Sequence, residues 1–349
     1  MVYIYIKSVR LYTLVMVVVN LVIHYFIHNS YLNLTDLEDN KFYKDYLENI
    51  SDSTNFIATS YNSIGAIEPI QTLFFYLSAV SFNTFESQIL LLNMLVISSV
   101  SFLILKFKGD LYIKILLLIS VHIGYYFFIA FEVTHRLKIA IFLTSLFVIS
   151  DTKKMKYLFG VAAIASHLSI AFVVFPLYML GAIDSVRYNF PRSGSINNKL
   201  MMIVGLFFIF YFIGNFNVTD MYLRVFESKI NYFSIFLTPS AIMLIILTLL
   251  IHNRLISNFV FIVLFFTATM LMLGSSRIYM LFYFFIFFAY LSSLNFLKLK
   301  TSFGKVDVLV IILYIVSIHS IVRGIYTLFH VFNGVESIPG MLNHFLKSV

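Results

Sequence analysis

Apolar segments long enough to cross a lipid bilayer recur along most of this sequence. A spanning helix needs about 20 mainly apolar residues, and only 11% of the 349 residues are charged, against roughly 25% in a soluble domain. A soluble enzyme, a disordered chain and, without cysteine, a disulfide scaffold are therefore excluded. We predict an all-α polytopic membrane protein with apolar runs near residues 11–28, 87–105, 111–131, 137–150, 157–183, 200–216, 234–251, 257–273, 278–297 and 306–322.

Two segments leave the number of spans open. Residues 69–82 are apolar but short for a crossing, which favours an interfacial or re-entrant helix. Residues 157–183 are long but are interrupted around His167, so they form one span or a bent pair.

The positions of the basic residues decide between these arrangements, because Lys and Arg mark cytoplasmic loops. With 69–82 at the surface and 157–183 as a hairpin of two short helices, 15 of the 24 basic residues face the cytoplasm. Only four of the 16 acidic residues join them. This predicts about eleven transmembrane helices in one membrane domain, residues 1–349, with a cytoplasmic N-terminus. Its outer segments are a large first loop with interfacial helices, 29–86, and a C-terminal segment, 323–349. The net charge of +8 follows from this pattern and does not indicate nucleic-acid binding.

Ionisable residues at the outer rim of the spans are the candidates for function, because charge inside a membrane is retained mainly where it faces a polar cavity. The alternative is that such side chains only anchor helices by reaching toward water. We interpret His24, His122, His252 and His319 as packing residues. The predicted outer-rim and outer-loop charges are Asp39, Glu68, Glu132, His135, Arg136, Lys138, His167, Asp220, Arg224, Glu227, Arg277 and Arg323.

Common catalytic motifs are missing from the sequence. It has no H-E-x-x-H pair, no Gly-rich phosphate loop and no G-x-S-x-G elbow. No segment carries a carboxylate or histidine cluster with metal-ligand spacing. These absences argue against a nucleotide-driven pump and against a metal or cofactor.

Short motifs occur in a recognisable order along the chain. The outer loop carries Asp39-Asn-Lys-Phe-Tyr43 and Glu68-Pro69, followed by Thr134-His-Arg136-Leu-Lys-Ile-Ala140. Ala165-Ser-His167-Leu-Ser169-Ile-Ala171 and Arg277-Ile-Tyr279 come later. Together they resemble the EpsG-like branch of the Wzy-type bacterial polysaccharide polymerases. The chain departs from that family in the Leu that follows Arg136 and in a shorter Ser-to-His spacing.

The resemblance implies a glycosyltransferase with a GT-C-like fold in the bacterial inner membrane. It would join undecaprenyl-diphosphate-linked repeat units into O-antigen, capsule or exopolysaccharide at the outer face. Its partners would be the lipid-linked oligosaccharide, the lipid bilayer, a chain-length regulator and a flippase. Because the diphosphate is already an activated leaving group, cationic side chains and a base suffice without a metal. The expected catalytic residues are Arg136, His167, Asp39 and Glu68, and the expected diphosphate-binding residues are Arg136, Arg277, Arg323 and His135.

Three other functions remain open. Another lipid-linked glycosyltransferase or an O-antigen ligase would use the acidic outer loop to hold a metal or as a base. A polysaccharide or lipid flippase would carry charges deep within its spans. A structural subunit would not need the rim charges.

Overall fold

The computed structural model describes residues 13–26, 38–64, 68–107, 110–179, 266, 275–292, 298–301 and 304–332, apart from positions 52, 54, 83 and 134. The predicted spans at 200–216 and 234–251, and all but one residue of 257–273, lie outside the described residues, as do Asp220, Arg224, Glu227 and His252. The described helices are α1 Thr13–Phe26, α2 Glu38–Ser51, α3 Phe56–Ile64, α4 Pro69–Ser81, α5 Phe85–Lys106, α6 Leu111–Ile123, α7 Tyr125–Phe128, α8 Leu137–Ile149, α9 Lys153–Ser166, α10 Ala171–Met179, α11 Ser275–Leu291 and α12 Val308–Phe332.

Short irregular elements interrupt these helices. A turn of π-helix, Ile129–Val133, follows α7, and a 3₁₀ turn, Leu168–Ile170, precedes α10. One antiparallel hairpin pairs β1, Lys298–Thr301, with β2, Gly304–Asp307, so that Lys298 lies opposite Asp307. The described residues are otherwise helical, as predicted for an all-α membrane protein.

The chain falls into two compact units. The first holds α1 to α9, the 3₁₀ turn and the part of α12 from Ser317 onward. The second holds α10, α11, the hairpin and the start of α12 up to Val316. In the second unit, α11 is buried on every side from Met280 to Leu291, and the Phe266 ring lies 5.6 Å from the ring of Phe285.

Two of the described helices are long and apolar enough to span a membrane. They are α5 and the segment Leu309–Thr327 of α12. The pair α6 and α7, extended to Phe131, passes the same test but bends by 42° at its break, so it is a broken span or a re-entrant loop. The predicted membrane character is therefore confirmed, whereas the total of eleven spans stays a prediction.

Two helices of the first unit, α1 and α12, expose apolar side chains and bury polar ones. On α1, Leu14 is 62% exposed and Val18 is 50% exposed, whereas Asn20 and His24 are buried. The same arrangement recurs on α12, where Val322 is exposed and Ser320 is buried. Apolar faces turned outward are what a lipid environment stabilises, and polar groups turned inward find partners there.

The break between α6 and α7 occurs where α12 approaches closely. A Cβ atom on Gly324 of α12 would lie 1.8 Å from the carbonyl oxygen of Ile123, and one on Gly124 would lie 2.9 Å from Ser320 Oγ. The hydroxyl of Ser320 also faces the backbone N–H of Tyr126 at 3.5 Å. Small residues permit this approach, and a serine hydroxyl compensates for the interrupted helix.

The outer loop predicted at 29–86 contains the three helices α2, α3 and α4. The apolar segment predicted at 69–82 forms α4, whose 13 residues are too few to cross a bilayer. The predicted interruption of 157–183 is also confirmed, because α9 ends at Ser166 and a new helix starts after the 3₁₀ turn. Next to these elements, α8 packs against both α5 and α9.

Candidate active site

Glu68 lies at the start of α4, and its carboxylate does not cap that helix. Pro69 occupies the first helical position, where a missing N–H leaves no hydrogen bond unmade. The Glu68 side chain makes no capping hydrogen bond and is therefore available to other elements. Its position beside a helix N-terminus also stabilises a negative charge.

His167 occupies the break after α9 and contacts this carboxylate. Its backbone is extended, with φ −159° and ψ 114°, so the helix stops there. The imidazole Nδ1 lies 2.7 Å from Glu68 Oε1, although 99 residues separate the two in sequence. An ionised carboxylate can only accept hydrogen bonds, so in this pair Nδ1 is the donor and Nε2 is left for another partner.

Arg136 supplies a cation on the other side of Glu68. It is the residue before α8, just after the π-helical turn. Its Nη1 lies 3.9 Å from Glu68 Oε2, which is an ion-pair distance but too long for a hydrogen bond. The guanidinium N–H groups are therefore not hydrogen-bonded to the carboxylate, and the Arg136 side chain is 33% exposed. Such a fork can bind an anion bidentately.

Gln71 lies beneath these three residues, and its side chain is almost completely buried. The surrounding oxygens require its amide NH₂ group to face them. In that orientation Nε2 lies 2.9 Å from Glu68 Oε2, 3.0 Å from the carbonyl oxygen of Arg136 and 3.0 Å from that of Ser166. The amide thus contacts α4, the start of α8 and the end of α9 at once.

Helices α2 and α3 hold the start of α4 in place through a buried hydroxyl network. The Tyr46 hydroxyl donates to Ser60 Oγ at 3.1 Å, and Thr72 Oγ1 donates to the same atom at 2.9 Å. Burial raises the pKa of Tyr46, while the hydrogen bonds to Ser60 and Thr72 oppose the rise. The nearby charge of Glu68 also raises this pKa and that of Arg136 lowers it. The phenol therefore stays neutral and acts as a donor that links α2, α3 and α4.

The three ionisable groups are partly accessible. The side chain of Glu68 is 12% exposed and that of His167 is 22% exposed, both less than Arg136. An imidazole held by a carboxylate is a general base of the kind that activates a hydroxyl. A guanidinium beside it can stabilise a departing anion. The cluster therefore brings a side chain that can act as a base and one that can bind an anion around one carboxylate.

The other predicted site residues are placed differently. His135 is only 1% exposed, and its ring packs edge-on against Tyr43 at 4.8 Å and against Phe85 at 6.0 Å. It therefore contributes to packing between α2 and α5. The guanidinium of Arg323 on α12 lies 3.9 Å from the ring centroid of Tyr125. The side chains of Asp39 in α2, Arg277 in α11 and Glu132 in the π-helical turn lie outside what the structure describes.

Two residues that make important contacts in this unit, Gln71 and Asn20, were not predicted from the sequence. Gln71 stands in an apolar helix with no motif around it, and only its position three residues after Glu68, on the same helix face, hints at a shared role. Asn20 in α1 accepts from His122 Nε2 at 2.7 Å. Its signal is the spacing of Asn20 and His24, four residues apart in an otherwise apolar helix. The hydrogen bond agrees with the packing role that we assign to His122.

Comparison with known proteins adds no relative. No protein-family model matches the chain, and no curated protein or solved structure matches it significantly. Within the described part of the chain, no group of three or more His, Asp or Glu side chains is arranged to hold a metal ion.

Proposed function

We propose that this protein is a membrane glycosyltransferase that polymerises undecaprenyl-diphosphate-linked oligosaccharide repeat units into a surface polysaccharide. The proposal places it in the bacterial inner membrane with about eleven spans and a cytoplasmic N-terminus. The lipid-linked oligosaccharide is its substrate, and the bilayer, a chain-length regulator and a flippase are its partners.

The observation that carries the proposal is the convergence of Glu68, His167 and Arg136. These residues come from three separate motifs that resemble the polymerase family, and they meet around one carboxylate. A structural subunit needs no partly exposed imidazole–carboxylate pair beside a guanidinium. A flippase needs no general base.

The chemistry of the cluster suits glycosyl transfer from a diphosphate. His167 Nε2 accepts the proton of the acceptor sugar hydroxyl, and Glu68 stabilises the resulting imidazolium through Nδ1. The hydroxyl oxygen forms a bond to the anomeric carbon of the growing glycan. The bond from that carbon to the diphosphate oxygen breaks, and its electron pair leaves with undecaprenyl diphosphate. Arg136 stabilises the negative charge that develops on this leaving group, at the positive end of α8.

The test is to replace the gene in its native bacterium with variants and to measure the length of the surface polysaccharide. Glu68→Gln and His167→Ala should leave single repeat units where the natural protein makes long chains. Glu48→Gln is the matched control, because Glu48 is an exposed carboxylate on α2 in the same outer loop. Full-length polymer from both site variants, at normal protein levels, would refute the proposed function.

A second assay separates polymerisation from transport. The purified protein in nanodiscs receives undecaprenyl-diphosphate-linked repeat units, and the products are resolved as a ladder. A polymerase makes the ladder without a second membrane compartment. If the protein yields no ladder but moves the lipid between the leaflets of a vesicle, it is a flippase and the proposal fails.

A further inference from the structure

The amide of Gln71 contacts three separate segments of the site. It lies within hydrogen-bond distance of the Glu68 carboxylate and of two backbone carbonyls, those of Arg136 and Ser166. These two carbonyls belong to the segments that carry the guanidinium and the imidazole. Both of these contacts are to backbone atoms and do not involve the side chains at positions 136 and 166.

All three atoms around this amide are acceptors. A carboxylate and a carbonyl oxygen cannot donate a hydrogen bond, so only a donor group satisfies them. The position is 1% exposed, which leaves little access for water to replace the donor. A buried acceptor without a donor is strongly disfavoured. The Gln71 amide supplies two N–H donors to these three oxygens, so one donor is shared, and its removal deprives the acceptors of this partner.

Of these acceptors, only the carboxylate can turn about side-chain bonds, and the Arg136 guanidinium lies near it. The two carboxylate oxygens of Glu68 have different partners. Oε1 lies 2.7 Å from His167 Nδ1, and Oε2 lies 2.9 Å from the amide nitrogen of Gln71. Arg136 stays at 3.9 Å from Oε2. Without the amide, a short movement of Oε2 would convert that contact into a direct charge-assisted hydrogen bond.

We infer that Gln71 is a positioning residue that holds Glu68 on His167 and keeps it from closing onto Arg136. This inference rests on the proposed function, in which Arg136 binds the diphosphate of the lipid carrier. The amide thereby leaves the guanidinium free for the substrate, although Gln71 itself touches none of the reacting atoms.

The test measures binding of undecaprenyl diphosphate to the full-length protein in nanodiscs, independently of turnover. Gln71→Met removes the donor with little change in volume. It should weaken binding about tenfold, the size expected when one charge-assisted contact to the ligand is lost. Thr72→Ser is the control, since it changes the next residue of α4 and retains the hydroxyl.

A double-variant comparison separates positioning from a general loss of structure. In a Glu68→Ala background no carboxylate can capture Arg136, so adding Gln71→Met should change the affinity by less than about twofold. A merely structural role predicts the same loss in both backgrounds, and that result would overturn the inference. If Gln71→Met is not recovered folded, Gln71→Asn, which draws the amide back by one methylene, is compared in the same two backgrounds with the same expectations.

Failure of this inference and failure of the proposed function give different results. If the wild-type protein does not bind undecaprenyl diphosphate, the proposed function fails and the inference with it. If Arg136→Ala binds it unchanged, Arg136 does not bind the diphosphate, and the inference fails while the polymerase proposal is still decided by the Glu68 and His167 variants. If Arg136→Ala weakens binding but Gln71→Met does not, only the role of Gln71 is wrong.

Discussion

Two helix breaks in the described part of the first unit are surrounded by different kinds of residue. At the break between α6 and α7, Gly124 and Gly324 bring backbones together, and the neutral hydroxyl of Ser320 faces the interrupted helix. At the break after α9, the ionisable side chains of His167 and Glu68 meet instead.

Access also distinguishes the two breaks. Gly124 and Ser320 are buried, and a single added methyl group would collide with backbone atoms there. The His167 side chain at the other break is 22% exposed, and that of Arg136, which also contacts Glu68, is 33% exposed. A break closed by small neutral residues serves packing, whereas a break that keeps ionisable groups accessible has a form suited to chemistry. Charged groups are retained in such places mainly when they act on something.

The largest expected effect is on turnover at the His167 break. In the proposed reaction, Arg136→Ala removes the charge that would stabilise the departing diphosphate, so the polymerisation rate should fall about 10²–10³-fold, by analogy with the loss of an oxyanion donor. Arg136→Lys keeps the charge but loses the planar, forked guanidinium. Its rate should therefore lie between that of the wild type and that of the alanine variant. Initial rates of ladder formation provide the measurement, with Lys44→Ala, an exposed cation on α2, as the control. An alanine variant within threefold of wild type would remove Arg136 from the chemistry.

The next effect is on stability at the Gly124 break. Gly324→Ala places a Cβ against the Ile123 carbonyl, and overpacking of this kind destabilises by about 1–3 kcal/mol or more. Thermal unfolding in detergent should show a lower midpoint, with the turnover of each remaining folded molecule unchanged. Ile325→Val, at an exposed position on the same helix, is the control and should leave the midpoint unchanged. A large loss of turnover with normal stability would show that this break also serves the chemistry.

A smaller stability effect is expected where α1 meets α6. Asn20→Leu removes the acceptor of His122 Nε2, and an interhelical hydrogen bond inside a membrane protein contributes about 1 kcal/mol. The unfolding midpoint should fall modestly while polymer length stays normal. Val18→Leu, on the exposed face of α1, controls for a change of size. An unchanged midpoint in Asn20→Leu would mean that this contact adds nothing to stability.

The smallest expected effect tests whether α2 and α3 support the position of Glu68. Tyr46→Phe removes one hydroxyl from the network with Ser60 and Thr72, which should lower stability by about 1 kcal/mol. Turnover should fall less than threefold, because the remaining hydroxyls still pair. Tyr76→Phe is the matched control, since the Tyr76 ring stacks on Phe56 and its hydroxyl has no hydrogen bond within the described residues. A loss as large as that of Arg136→Ala would place Tyr46 in the chemistry itself.

Several features of this protein were readable from the sequence because they depend on neighbouring residues. Apolar runs and scarce charge define a membrane protein, since helix length and bilayer thickness are local constraints. The short helix α4 and the interruption at His167 were predicted for the same reason. Glu68, Arg136 and His167 were candidates individually, but their roles were assigned without knowledge of which side chains meet.

Only the tertiary structure decided those contacts. Glu68 contacts His167, 99 residues away in the sequence, because α4 packs against α9. No periodicity in the sequence encodes that packing. The same holds for Gln71, whose acceptors are two backbone carbonyls from other helices. The sequence by itself determined where helices form, stop and tolerate charge, because those preferences act over a few residues. Packing between distant helices determined which of the tolerated charges form a site.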